Sequence, residues 1–527
     1  THISDIEEHG YFLFCFTPNI GLNSHNKLYV RIFALSSHKN LEDHFMNRVI
    51  VSFFALLAAA PLAAQEQTPR VLSLDEALEI TLSGSPVIEA SRYEEKAAQQ
   101  ERRAAIGLRM PQISVGGAYT YLGKDIGFDF NDLKGPVGNI THDILGSGLI
   151  PTELIPQIQQ LLTPVMGADW FLTLQDRSLG FVGGQVTLPI YMGGKINTAN
   201  RAAKINEKTA VEQGNQNRNA LVSELVERYY GLALARQVVE VRQQVVDGVG
   251  QHLKDAIALE QNGMIPHSER LYVEFKMAEA ERELQNARLQ VETIASALNN
   301  TLGQQAEVLP VTTMFVLGNL EDVAYYKDLA AKFNPLLSQV ALKRQLAKEG
   351  VRLQRANFLP QVAAMGGASF YNYQVTKIMP RWAVGVGVNL KIFDGLNREY
   401  KYSAAKQTVK QVEVLEMKAG KDIAVLIEKL YNQMNNYANQ MKSIDASLAF
   451  AEEYLKAKNA AFLEGMSSSS DLVDAELNLA KVRTERMQTA YNYDVALAKL
   501  LEAAGISDEF ISYLHRTDAR PIHFDKE

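Results

Sequence analysis

Arg381-Trp-Ala-Val-Gly-Val-Gly-Val-Asn-Leu-Lys-Ile-Phe393 runs through the turn Asp394-Gly395 into a tract with no proline before Pro521. Alternation puts Trp382, Val384, Val386, Val388, Leu390 and Ile392 on one face and Arg381, Ala383, Gly385, Gly387, Asn389 and Lys391 on the other. One face is apolar; the other is small or charged. A sheet that spans a bilayer must pair its backbone groups and alternate apolar-out with polar-in, so this stretch suits a strand with lipid outside and water inside. Strong helix formers fill residues 397–464, and at 1.5 Å per residue the predicted helix is roughly 100 Å long. Within it Ile423, Ile427, Leu430, Met434, Tyr437, Met441, Ile444, Leu448, Ala451 and Leu455 step by fours and threes, the period of a left-handed coiled coil. Such a helix needs partner helices along its length.

Upstream the same plan occurs once more. Leu188-Pro-Ile-Tyr-Met-Gly193 aligns with Leu390-Lys-Ile-Phe-Asp-Gly395, Asn262-Gly-Met264 with Glu464-Gly-Met466, and Leu302-Gly303 with Ala504-Gly505, all at an offset of 202. Ser85-Pro86 matches Asn334-Pro335 and Met110-Pro-Gln112 matches Leu359-Pro-Gln361 at an offset of 249, so 47 additional residues lie between the first two strands. We read the first repeat as 65–326, with strands 111–122 and 181–192, long helix 197–262 and return helix 266–302. The second is 327–527, with strands 361–373 and 381–393, long helix 397–464 and return helix 468–504. Residues 123–180, rich in proline and glycine, read as a long loop with some helix.

The chain has 527 residues, 47% of them hydrophobic, which is ample for a core, and its formal charge of −7 argues against a nucleic-acid partner. Residues 1–45 contain no methionine, and Met46-Asn-Arg48 followed by an apolar run reads as a signal peptide over 46–64, with 1–45 a non-native leader. Cys15, the one cysteine, lies in that leader, so no disulfide or lipid-bearing cysteine is expected in the mature chain. No later stretch has the apolar length of a membrane helix, so insertion must use strands. Four strands are too few to close a barrel, and an open edge cannot sit in lipid. Closure therefore demands other subunits, and three chains of four strands each would give twelve. Scattered histidines (His142, His252, His267, His515, His523) show no metal-binding spacing, and no convergent polar constellation points to catalysis, so neither enzyme activity, cofactor nor metal is expected.

From Leu72 onward the sequence resembles the TolC family of outer-membrane efflux proteins. The likeness is carried by Leu74-Asp-Glu-Ala-Leu78 with Pro86, the strand starts at Pro111 and Pro360, the strand ends Tyr191-Met-Gly-Gly194 and Phe393-Asp-Gly395, and the turns at Gly263 and Gly465. The resemblance implies an α+β fold: a homotrimer with a 12-stranded barrel in outer-membrane lipid, a long periplasmic α-helical coiled-coil barrel, and an equatorial collar built from 303–326 and the segment after Gly505. It implies a passive exit duct for small molecules or proteins, gated at its periplasmic end. Its partners would be a periplasmic adaptor (membrane fusion) protein and an inner-membrane pump of RND or ABC type. A pore-free coiled-coil scaffold of the envelope is the alternative, which would leave the apolar strand faces without use.

In that family acidic residues past the second helix turn line the closed periplasmic mouth, and Asp471 and Asp474 match them. Positions that hold a gate-tying tyrosine and arginine in family members hold Phe462 and Ser467 here, a departure from that lock. A different role for Asp471 is favourable placement at a helix N-terminus capped by Ser468, and the residues leave both roles open. Gly263, Met264, Gly465 and Met466 resemble the adaptor-contacting tips, although a glycine C-cap needs no partner.

Overall fold

The computed structural model describes residues 70–304, 307–375 and 380–523; the expected leader (1–45, with Cys15) and signal peptide (46–64) lie outside them. β1 (Arg70–Leu72) leads into α1 (Leu74–Gly84) and α2 (Pro86–Gly107). Ser73 and Glu76 cap α1 reciprocally, and Ser85 caps α2, whose first residue, Pro86, needs no N–H partner. There follow β2 (Gln112–Tyr121), β3 (Ile126–Asp129), α3 (Lys134–Gly146), α4 (Ile155–Gly167), β4 (Phe171–Gln175) and β5 (Ser178–Met192). Next come α5 (Lys195–Gln261), α6 (His267–Leu302), β6 (Val308–Pro310), β7 (Phe315–Leu317), α7 (Val323–Phe333) and α8 (Pro335–Ala356). The chain continues through β8 (Gln361–Tyr373), β9 (Trp382–Asn389), α9 (Asn397–Leu463), α10 (Ser469–Ala504), α11 (Phe510–Leu514) and β10 (Ala519–Pro521).

β2, β5, β8 and β9 form one antiparallel sheet in that order. Register sets Ile113 opposite Val186, Leu188 opposite Ala364, and Val384, Val386 and Val388 opposite Gly366, Ala364 and Val362, so one face is continuously apolar. Val384 is 77% exposed and Ile113 75%: this face is bare in the single chain. The opposite face carries Gln112, Ser114, Gln185, Thr187, Gly385 and Gly387. The expected strand 381–393 is shorter than read. It ends at Asn389, paired with Gln361, the first residue of β8, so Leu390 and Ile392 lie beyond the strand though still exposed. Arg398 explains the stop: its guanidinium donates to the carbonyls of Lys391 (2.6 Å) and Ile392 (2.9 Å), groups a ladder would otherwise have used. The expected loop 123–180 holds more order than its composition suggests. β3 and β4 pair across two intervening helices, a long-range partnership with no local signature.

α5 and α9 are 67 residues each, and α6 and α10 are 36 each. α2, α5, α8 and α9 pack side by side in the order of the strands they continue. Along the expected stripe of α9, Ile423, Ile427, Leu430, Met434, Met441, Ile444, Leu448 and Ala451 are buried, with Tyr437 and Leu455 partly buried. Val241, Val245 and Val249 of α5 meet Val273 of α6 and Val473 of α10 in a second seam. The largest core lies where α5, α9 and α10 meet the small strands. Parallel β1–β6 and antiparallel β7–β10 pack there on Tyr229, Tyr230, Tyr326, Tyr493 and Phe510.

Tyr229 is the clasp of this core. Its hydroxyl donates to Leu72 O (2.7 Å) and accepts from the N–H groups of Val311 and Thr312 (both 3.0 Å), fastening β1 and the end of β6 to α5. Tyr229→Phe leaves those buried groups short of a partner, and a loss of about 1–3 kcal/mol is expected, read as a lowered melting temperature in detergent. Asp494, fully buried on α10, accepts from Phe315 N–H at 3.2 Å, and burial pushes its carboxyl well above the usual carboxylate range. The fold therefore favours the neutral acid. That contribution is complete below the unfolded value of about 3.9 and is lost as pH rises through the higher folded value. Melting curves of wild type and Asp494→Asn should converge near pH 4, with the wild type losing ground to the variant as pH rises; parallel curves would refute a buried neutral carboxyl.

Candidate functional site at the helix turns

Both long helices end on the same local chemistry. Gly263 (φ 68°) and Gly465 (φ 74°) adopt the left-handed conformation, which lets Met264 N–H reach Leu259 O and Met466 N–H reach Ala461 O, both at 2.8 Å. The chain then reverses into α6 after Pro266 and into α10 after Ser468, whose Oγ accepts from Asp471 N–H at 3.2 Å. Met264 and Met466 are 70% and 72% exposed, and Leu463, the last residue of α9, is more open still. The turns thus present apolar side chains outward on short, fixed loops.

The two aspartates of α10 do not stand free. Lys458 of α9 reaches Asp471 Oδ2 at 3.1 Å and Ser467 Oγ donates to the same oxygen at 3.2 Å. The Lys458 ammonium, with help from Ser467, holds the Asp471 carboxyl below the usual carboxylate range. Asp474 Oδ1 accepts from Tyr272 Oη of α6 at 3.1 Å, and burial together with that carboxylate raises the tyrosine. One aspartate ties α10 to α9; the other ties it to α6. Asp471 keeps its capping place as well: its N–H is received by Ser468 Oγ while its carboxylate holds Lys458. Phe462, buried, packs its ring 6.3 Å from that of His252, whose Nε2 lies 3.4 Å from Glu476 of α10. Gly248 of α5 makes this possible, because a Cβ there would occupy the position of the Glu476 carboxylate. On the first pair Glu260 accepts from His267 Nδ1 (2.6 Å) and Arg270 Nε (2.5 Å), and the histidine contact leads in holding its carboxyl low.

Tyr272 and Lys458 were not singled out from sequence. Tyr272 had a signal, since it lies 202 residues before Asp474, the offset that relates the two halves. Lys458 had none: it is one lysine among many on a charged helix face. The apolar strand residues Trp382, Val384, Val386 and Val388 share one exposed face, as the alternation required, at the opposite end of α9 from Asp471. Among the described residues no group of three or more histidine, cysteine, aspartate or glutamate side chains is placed to hold a metal ion, and no helix is long and apolar enough to cross a membrane.

Comparison with known proteins adds the following. The model of the outer membrane efflux protein family matches residues 165–304 and 327–506. The alkaline protease secretion protein AprF of Pseudomonas aeruginosa is 24% identical over 218 residues, 39% of this chain and 44% of AprF. Outer membrane protein TolC of Escherichia coli is 24% identical over 287 residues, 46% of this chain and 56% of TolC. The chain thus spans about half the length of the curated relatives it matches. Among solved structures the CmeC outer membrane channel of Campylobacter jejuni superposes with a TM-score of 0.64 at 13% identity, covering 84% of this chain and 89% of that one. The open-state MtrE outer membrane channel of Neisseria gonorrhoeae gives 0.63 at 14% identity, covering 82% and 89%. With most of its length matched by the family model and the same α+β fold as these channels, the chain belongs to the outer membrane efflux protein family.

Proposed function

We propose that three copies of this chain close a 12-stranded barrel in the outer membrane and continue it into the periplasm as an α-helical duct, through which an adaptor and an inner-membrane pump of RND or ABC type export their substrate. The observation that carries this is the sheet. β2 and β9 are both edge strands, the face between them is apolar and exposed, and every strand of the sheet connects to a helix of the same side-by-side layer. Unpaired edges are not tolerated in hydrocarbon, so β9 of one copy must meet β2 of the next. The equal helix pairs, 67 with 36 residues twice over, support two repeats (65–326 and 327–527), with the core around Tyr229 and Tyr493 as the collar.

In this reading Gly263, Met264, Gly465 and Met466 are the tips that receive the adaptor. Asp471 and Asp474 are the carboxylates of the periplasmic mouth, with Phe462 and Ser467 beside them. The bonds from Lys458 and Tyr272 hold α10 in its resting place, and opening requires their exchange for water. Substrate choice and energy come from the pump.

Arginine at Val386 faces hydrocarbon and costs about 2–4 kcal/mol per site, repeated in each copy, so Val386→Arg should abolish the heat-sensitive trimer on gels. Gly387→Arg points to the other face, where it meets only the tip of Met365, and should assemble and alter conductance instead. Equal tolerance of both changes would exclude a lipid-facing sheet.

At the mouth, single-channel recording with a divalent cation on the periplasmic side reads the charge directly. Asp471→Asn with Asp474→Asn should remove the block and keep the trimer, whereas Lys458→Gln, which uncovers Asp471, should strengthen it. Because Asp471 titrates below its usual value, its share of the block should persist on acidification to about pH 4 and vanish only below. A block unchanged in the double variant would return both residues to helix capping alone.

A further inference from the structure

Where β2 and β5 give way to α2 and α5, a groove of about 440 Å³ opens between the two helices. Four of its seven lining residues are cations, Arg102, Arg109, Arg201 and Lys204, and none is acidic. Two of the four are matched: Arg102 by Glu207 at 2.7 Å and Arg201 by Glu349 at 2.8 Å, both carboxylates outside the lining. The other two are not. Arg109 donates to the neutral Asn197 Oδ1 at 2.7 Å, and Lys204 has no carboxylate partner among the described residues. Asn197 belongs to the first turn of α5, so the unsatisfied N–H groups and positive end of a 67-residue helix add to the same field. A groove with two uncompensated cations, a guanidinium fork and a helix N-terminus is matched by a multivalent oxyanion, and phosphate has the oxygens to use all of them.

Depth identifies the source. Arg109 stands three residues before Gln112, where β2 begins, and Lys195, which opens α5, three residues after Met192, where β5 ends. If the sheet spans the bilayer as proposed above, on which this inference rests, the groove lies at the level of the periplasmic head groups. A short apolar track adjoins it: Ile106 in its lining, and Leu108 and Met110 on either side of Arg109, 41% and 60% exposed. A soluble phosphate has no use for such a track; acyl chains do.

We propose that this groove binds the phosphate group of a phospholipid of the inner leaflet, with Arg109 and Lys204 as its principal contacts and the Ile106–Met110 segment against the acyl chains. The test is native mass spectrometry of the full-length assembly in detergent, titrated with dioleoyl phosphatidylglycerol or, separately, with inorganic phosphate. Wild type should retain the lipid, and Arg109→Gln with Lys204→Gln should retain it roughly tenfold more weakly at unchanged oligomeric mass. Lys204→Gln alone, which breaks no bond of the fold, should show part of that loss, and Lys204→Arg should restore binding. Equal lipid retention by wild type and double variant overturns the site. Phosphate bound as tightly as the lipid overturns the membrane source while keeping the anion chemistry. Reconstitution of the same samples into liposomes separates the two readings, since a protein that inserts but shows no lipid retention fails only the groove, and one that does not insert fails the bilayer assignment first.

Discussion

The proposed assembly answers to the two unpaired edges of a four-stranded sheet. A backbone N–H or C=O in hydrocarbon without a partner costs several kcal/mol, and an edge presents a row of them, so in the proposed barrel β2 and β9 cannot stay free edges and serve as each other's partners. In that reading the remaining elements follow from meeting this demand in a chain whose four strands are too few to close a barrel alone. In the proposed assembly, helices that continue the strands in the same lateral order carry the closure onward into water, where burial of the Ile423 to Ala451 stripe replaces the ladder as the cohesive force.

At the far end the forces are weaker. Lys458 with Asp471 and Tyr272 with Asp474 are exposed contacts, screened by solvent and worth little net stability. The seam beside them, Val249, Val273 and Val473, is fully buried and apolar. Strong packing thus holds these helices together, and in the proposed mouth the weak polar ties set which position they rest in. Such a division suits a part that must move without coming apart.

The sequence carried the features whose physics is local or periodic. Strand alternation at Trp382–Asn389, the glycine turns at 263 and 465, the Ser73 and Ser468 caps and the α9 stripe are each written within a few residues of one another. What it did not carry depended on contacts distant along the chain. The end of β9 is decided by Arg398 taking two carbonyls, the β3–β4 pairing by strands on opposite sides of two helices, and the Asp471 tie by a lysine across a helix turn. Asp494 belongs here as well, since its own helix gives no hint that a carboxyl will face Phe315 in a closed core.

The equal lengths of the two helix pairs bear on how such a chain can change over time. Removing one heptad from α9 alone would retract its turn by about 10 Å relative to that of α5 and pull Met466 out of line with Met264. The return helix would have to lose the same segment to keep its own end at Gly505, where no Cβ fits against the Phe333 carbonyl. A viable insertion or deletion must therefore enter all four helices at matched heights, which makes the length of the proposed duct a quantity inherited in steps and resistant to drift by single residues.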